Sequence, residues 1–127
     1  MSKERVRFEA MICCEQDAEL LWQAGTTIIT HLSEKFGGAT LMPIQGGWTS
    51  DGNETKAQYS RTKIEPGIKV TLCVTEDNTE AAYSLLANTI SEVVERVGLS
   101  AQFIHVERFD SIALHFDIKT RRFCGAS

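Results

Sequence analysis

The sequence predicts an α+β domain with the element order βαββαβ. Three observations carry this. Val6, Phe8, Ala10 and Ile12 alternate with Arg7, Glu9, Met11 and Cys13, and Ile68, Val70, Leu72 and Val74 alternate with Lys69, Thr71 and Cys73. A period of two is the mark of a strand with one apolar face. Each of these strands is followed by a long segment whose apolar residues recur at three- and four-residue steps, the mark of an amphipathic helix. The 127 residues, 43% hydrophobic and 24% charged, suit one domain with an ordinary core.

The first helix is predicted from Asp17 to Phe36, with Leu21, Gly25, Ile28, Leu32 and Phe36 on its apolar stripe. Asp17 and Glu19 complement its positive N-terminal end, and Gly37-Gly38 terminates it. A second strand is expected from Ala39 to Trp48. Pro43 assigns it to a sheet edge or a bulge, because proline cannot donate to the ladder. Ser50-Asp51-Gly52-Asn53 is a turn, and Thr55 to Thr62 is expected as the return arm of a hairpin. Glu65-Pro66-Gly67 is expected to turn again before the strand from Ile68.

Asp77, Asn78 and Thr79 offer caps to the second helix, whose stripe runs through Ala82, Leu86, Ile90, Val93 and Val97 to Gly98. Phe103 to Glu107 alternates again, and Ile112, Leu114 and Phe116 form a last short strand. Residues 1–118 are read as one domain and 119–127 as a polar C-terminal tail. Two βαβ halves of this length pack as an antiparallel sheet with both helices on one face, the ferredoxin-like sandwich, with an extra hairpin arm.

Composition narrows the function classes. A net charge of −4 lacks the basic excess of a nucleic-acid module. No apolar run approaches the ~20 residues of a membrane helix, so no membrane partner is expected. The mixed-charge start Met1 to Arg7 has no apolar stretch behind it, which points to a cytoplasmic protein. Cys13, Cys14, Cys73 and Cys124 lack paired metal-ligand spacing, and adjacent Cys13 and Cys14 point to opposite strand faces. His31, His105 and His115 lie on three different predicted elements. No catalytic residue, metal or cofactor is assigned.

Parity places Arg7, Glu9, Met11, Cys13, Lys69, Thr71, Cys73, Phe103, His105 and Glu107 on the sheet face away from the helices. Such a mixed face suits an oligomer interface or a ligand pocket. A nucleic-acid surface would need more than Phe103, Arg7 and Lys69 there.

The run from Phe36 to Asn53, Phe-Gly-Gly-Ala-Thr-Leu-Met-Pro-Ile-Gln-Gly-Gly-Trp-Thr-Ser-Asp-Gly-Asn, resembles the central signature of the DUF3574 family of small bacterial proteins. Gln45-Gly46-Gly47-Trp48 and Asp51-Gly52 carry the match, with Trp22 near the start of the preceding helix. The resemblance spans roughly Arg7 to Phe116 and implies fold rather than activity. Small trimeric signalling proteins of the nitrogen-regulatory type share the βαββαβ plan and a hairpin between the second and third strands. Arg7, Glu9, Gln45, Trp48, His105 and Glu107 form the expected ligand-binding set. The expected function is a non-enzymatic homo-oligomer, most simply a dimer, that binds a small molecule or a protein. The alternative is a cofactor-free enzyme using Glu9, His105 or Glu107 as acid or base.

Overall fold

Strict alternation on the first strand sets the architecture. In the computed structural model, which describes residues 3–15, 17–101 and 104–124, this strand (β1, Glu4–Cys13) buries every second side chain. It is followed by α1 (Ala18–Phe36), β2 (Thr40–Trp48), β3 (Lys63–Val74), a single 3-10 turn (Glu76–Asn78), α2 (Thr79–Val97) and β4 (His105–Ile112). The four strands form one antiparallel sheet in the order β2-β3-β1-β4. This is the ferredoxin-like arrangement, with the two alternating strands at the centre.

Val6, Phe8, Ala10 and Ile12 of β1 and Ile68, Val70, Leu72 and Val74 of β3 are buried in one cluster with Leu21, Ile28 and Leu32 of α1 and Leu86, Ile90 and Val93 of α2. The Asp17 carboxylate accepts from the Glu19 amide at 2.7 Å and caps α1. Gly37 ends that helix at φ 91°, in the left-handed region that suits glycine. Gly25 brings α1 close to the sheet: a Cβ there would lie 2.5 Å from Leu41 Cδ1 and 2.9 Å from Ile68 Cδ1. Among the described residues, no helix is long and apolar enough to cross a membrane.

Two boundaries differ from expectation. Residues 55–62 are not a strand. The return arm of the hairpin is β3 itself, which begins at Lys63 and pairs with β2 from Trp48↔Lys63 to Thr40↔Thr71. Glu65-Pro66-Gly67 therefore lies inside a strand. Pro66 is tolerated there because its carbonyl faces β1, accepting the Cys14 amide at 3.3 Å, so its missing donor falls where β1 has just ended. The last four residues of β2, Gln45 to Trp48, and their partners extend past β1 as a two-stranded ribbon. Pro43 does lie on an edge strand.

Part of the 119–127 segment is folded. Arg122–Cys124 (β6) pairs with His115–Asp117 (β5) in a separate small hairpin, in which Phe116 and Phe123 meet edge-on at 5.3 Å. Its root is tied to the body where the Ala113 amide donates to the Lys3 carbonyl at 2.8 Å.

Ile28 of α1 is fully buried, whereas Ile64 on the ribbon is 61% exposed. Truncating Ile28 to alanine leaves a cavity in the core cluster, for an expected cost of ~2–5 kcal/mol. The same change at Ile64 is expected to fall within ~0.5 kcal/mol of the parent. Urea unfolding of the two variants checks the contrast.

Candidate functional site

The sheet face away from the helices is organised in rows by the strand register. One row runs Thr40–Thr71–Glu9–Glu107, the next Met42–Lys69–Met11–His105, and on the other side lies Cys73–Arg7–Phe109. Opposite charges are largely settled within the face. Glu9 lies 3.7 Å from Arg7 Nε and 3.9 Å from Lys69 Nζ, while His105 Nε2 is 2.8 Å from Glu107 Oε2. These contacts relieve the directly opposed Glu9 and Glu107, which as bare like charges would destabilise the pair. The Arg7 guanidinium stacks over Phe109 at 4.7 Å. Its Nε is shielded from solvent and has no hydrogen-bond partner among the described residues.

Where β1 ends, the ribbon and the loop after it rise beside the face and enclose an open cleft of about 1200 Å³. Met11, Cys13, Trp48, Tyr59, Ile104 and His105 are among its lining residues. The expected binding set therefore divides. Trp48 and His105 reach the cleft, whereas Arg7, Glu9 and Glu107 lie along the sheet away from it. Gln45 is exposed and opposite in parity to Trp48, so it belongs to the other side of β2. Phe103 lies outside the described residues. His105 and His115 do not converge: His105 pairs with Met11 near the cleft, and His115 is in the small hairpin beyond the other end of β4.

Cys13 is the joint between sheet and cleft. The Trp48 indole N–H donates to its sulfur, and the indole lies over Gly46. A Cβ at Gly46 would come within 2.5 Å of Trp48 Nε1 and 2.7 Å of Cys13 Sγ, and one at Gly67 within 2.4 Å of the same sulfur. Both positions must be glycine for Trp48 to fold back onto the thiol. The ribbon needs no bulge to achieve this, since the β2–β3 register is continuous. Burial pushes the Cys13 thiol above its ordinary value, and the indole bond only partly opposes this.

The loop from 49 to 62 is organised by Asp51. Its carboxylate accepts from Lys56 Nζ at 2.9 Å, from the Ser60 amide at 3.2 Å and from Ser60 Oγ at 2.9 Å. The lysine ammonium first, and then the serine donors, hold this carboxyl well below the usual range. Tyr59 Oη donates to the Glu54 carbonyl at 2.6 Å and closes the loop. At the foot of the ribbon the Glu15 carboxylate holds the Lys63 ammonium, which raises the lysine above its ordinary value. Composition showed that Asp51-Gly52 makes a turn. It could not show that Asp51 anchors residues up to nine positions later.

No family model matches the chain, and no curated protein matches it. Solved structures do. The chain is similar to a phage SAM lyase in its apo state (7% identity, 89% of this chain and 93% of that one, TM-score 0.53). It is also similar to CutA from Synechococcus elongatus (8%, 87% and 80%, TM-score 0.48) and to the GlnK–ATP complex of B. subtilis (14%, 97% and 94%, TM-score 0.41). At these identities the likeness is one of fold.

Two predictions follow from the site's chemistry. A carboxyl depressed in the folded state contributes stability above its unfolded pKa of ~3.9 and loses it as acid carries the pH down through the lowered folded value. The loop is therefore expected to stay closed from neutral pH to about pH 4. Asp51→Asn is expected to open it at neutral pH, read as faster tryptic cleavage after Lys56 and Arg61. Cys13, half-buried with a raised thiol, is expected to alkylate more slowly at pH 8 than exposed Cys73. Mass spectrometry of iodoacetamide-treated protein checks the order.

Proposed function

We propose that this protein is a non-catalytic binding domain that works as a homo-oligomer, with a second copy covering the open sheet face and the cleft serving as its recognition site. The observation that carries the reading is the face itself. It is four strands wide and combines Met11, Met42, Ile44 and Phe109 with charges already paired within it. Surfaces that meet water alone seldom combine these features; surfaces that meet protein do.

Size supports the same reading. Strands ~4.8 Å apart and eight to twelve residues long give a flat area on the order of 500 Å², against the ~800 Å² per partner of a standard interface. The ribbon and the cleft rim, on the same side, extend it toward that figure. A two-fold axis is the simplest closed arrangement.

A second reading has one observation in its favour. His105 both lines the cleft and carries Glu107 on its Nε2, the pairing of an imidazole with a carboxylate that a cofactor-free acid–base enzyme would use. Glu9, held between Arg7 and Lys69 outside the cleft, does not join it.

Light scattering tests the assembly. The native chain is expected to show at least twice its monomer mass of 14.1 kDa at tens of micromolar. The double substitution Met11→Glu and Met42→Glu, in the central row of the face, is expected to reduce it to the monomer while leaving the helix-side core and thermal unfolding cooperative. A native chain that scatters as a monomer would sink the reading.

A further inference from the structure

The small hairpin β5–β6 is an apolar arm. Beyond β4, Leu114, Phe116 and Ile118 succeed one another at every second position and Phe123 packs against Phe116; all four are at least half exposed. Together they offer several hundred Å² of apolar surface, the size at which an exposed patch marks a contact. Lys119, Arg121 and Arg122 stand on the same arm, with Asp117 as its acidic residue. With a net charge of −4 over the chain, the arm is basic and the remaining body is acidic.

The cleft has the complementary content. Trp48 and Tyr59, each about 40% exposed, join Met11 and Ile104 as apolar lining, and at its edge stand Glu65 and the Glu15–Lys63 ion pair, a net acidic rim. At about 1200 Å³ and open along one side, it exceeds the usual range for a drug-sized ligand and suits a chain segment.

Topology decides whose arm can enter. The arm leaves β4 at Ile112, which pairs with Glu4 at the start of β1, whereas the cleft opens at Cys13, nine residues further along the same strand. That is about 30 Å of strand, and the arm from Ile112 to its tip at Ile118, fully extended, reaches about 20 Å. An arm cannot fill the cleft of its own chain. When two open faces stack about a two-fold axis that crosses the strands, each chain's arm end lies over the partner's cleft end. Both clefts are then filled by one closed operation.

We infer that the C-terminal hairpin of one copy occupies the cleft of a second copy, its Phe116–Phe123 pair against Trp48 and Tyr59 and its basic tip toward the net acidic rim at Glu65. This rests on the homo-oligomeric reading above and names the partner of its cleft. It also supplies the apolar area that the flat sheet face lacks on its own.

The test uses the full chain carrying Trp22→Phe, which leaves Trp48 as the only tryptophan of two. Phe116→Asp with Phe123→Asp changes exposed positions outside the core. It is expected to weaken self-association roughly thirtyfold or more, the scale of losing an aromatic anchor, and to shift Trp48 emission to the red as the cleft empties. Charge reversal of Lys119, Arg121 and Arg122 to glutamate retains the ring pair. It is expected to weaken association most at low salt. A dimer that survives both variants with Trp48 emission unmoved overturns the arm and leaves the sheet-face reading standing. A chain that is monomeric before any arm substitution overturns both.

Discussion

The antiparallel pairing of β1 with β3, from Val6↔Val74 to Cys13↔Gly67, is the constraint on which the rest depends. Both strands alternate strictly, so this one register sends eight apolar side chains to the helices and leaves the intervening residues together on the opposite face. A shift of one position would exchange the two sets. The helices have no other surface on which to bury Leu21, Ile28, Leu86 and Ile90. The same register also brings Glu9 beside Lys69 and Met11, so the character of the open face is a by-product of burying the core.

The end of that pairing creates the cleft. β1 stops at Cys13 while β3 continues outward with β2, so the ribbon stands free of the central sheet. A free ribbon with Gly46, Gly47 and Gly67 would lose direction, because glycine is costly to fix in a strand. Here the glycines make the joint stiffer. By admitting the Cys13 sulfur and the Trp48 indole into space a Cβ would fill, Gly46 and Gly67 fasten the ribbon to the strand it has outgrown. Asp51 performs the equivalent task for the loop beyond.

The elements that bury a periodic face were legible in the sequence: β1, both helices, the second half of β3, and the split of Cys13 from buried Cys14. The first half of β3 was not, because Pro66-Gly67 carries the composition of a turn. Only the position of β1's end shows that proline's missing donor costs nothing there. The site was legible in kind but not in membership. Parity placed Arg7, Glu9, His105 and Glu107 on one face. Which of them reaches a concavity depends on where the ribbon leaves the sheet, and that is a long-range fact. Asp51, Tyr59 and the pairing of Phe116 with Phe123 likewise arise from contacts across loops, which no local period records.

The electrostatics of the open face bear on what it is for. Removing a lone charge from water is costly, whereas a charge already held by a hydrogen bond or a close opposite partner loses less on being covered. On this face Glu9 lies between two cations and Glu107 is hydrogen-bonded to the His105 ring, so both carboxylates are engaged before any partner arrives. Catalytic groups are usually left under-compensated, because their free charge or proton is what the reaction uses. Glu9, between Arg7 and Lys69, and Glu107, bonded to His105, both depart from that pattern. A locally neutralised face with methionines in its central row can be covered at low cost, and its paired charges then fix the register of whatever covers it more than the strength of binding.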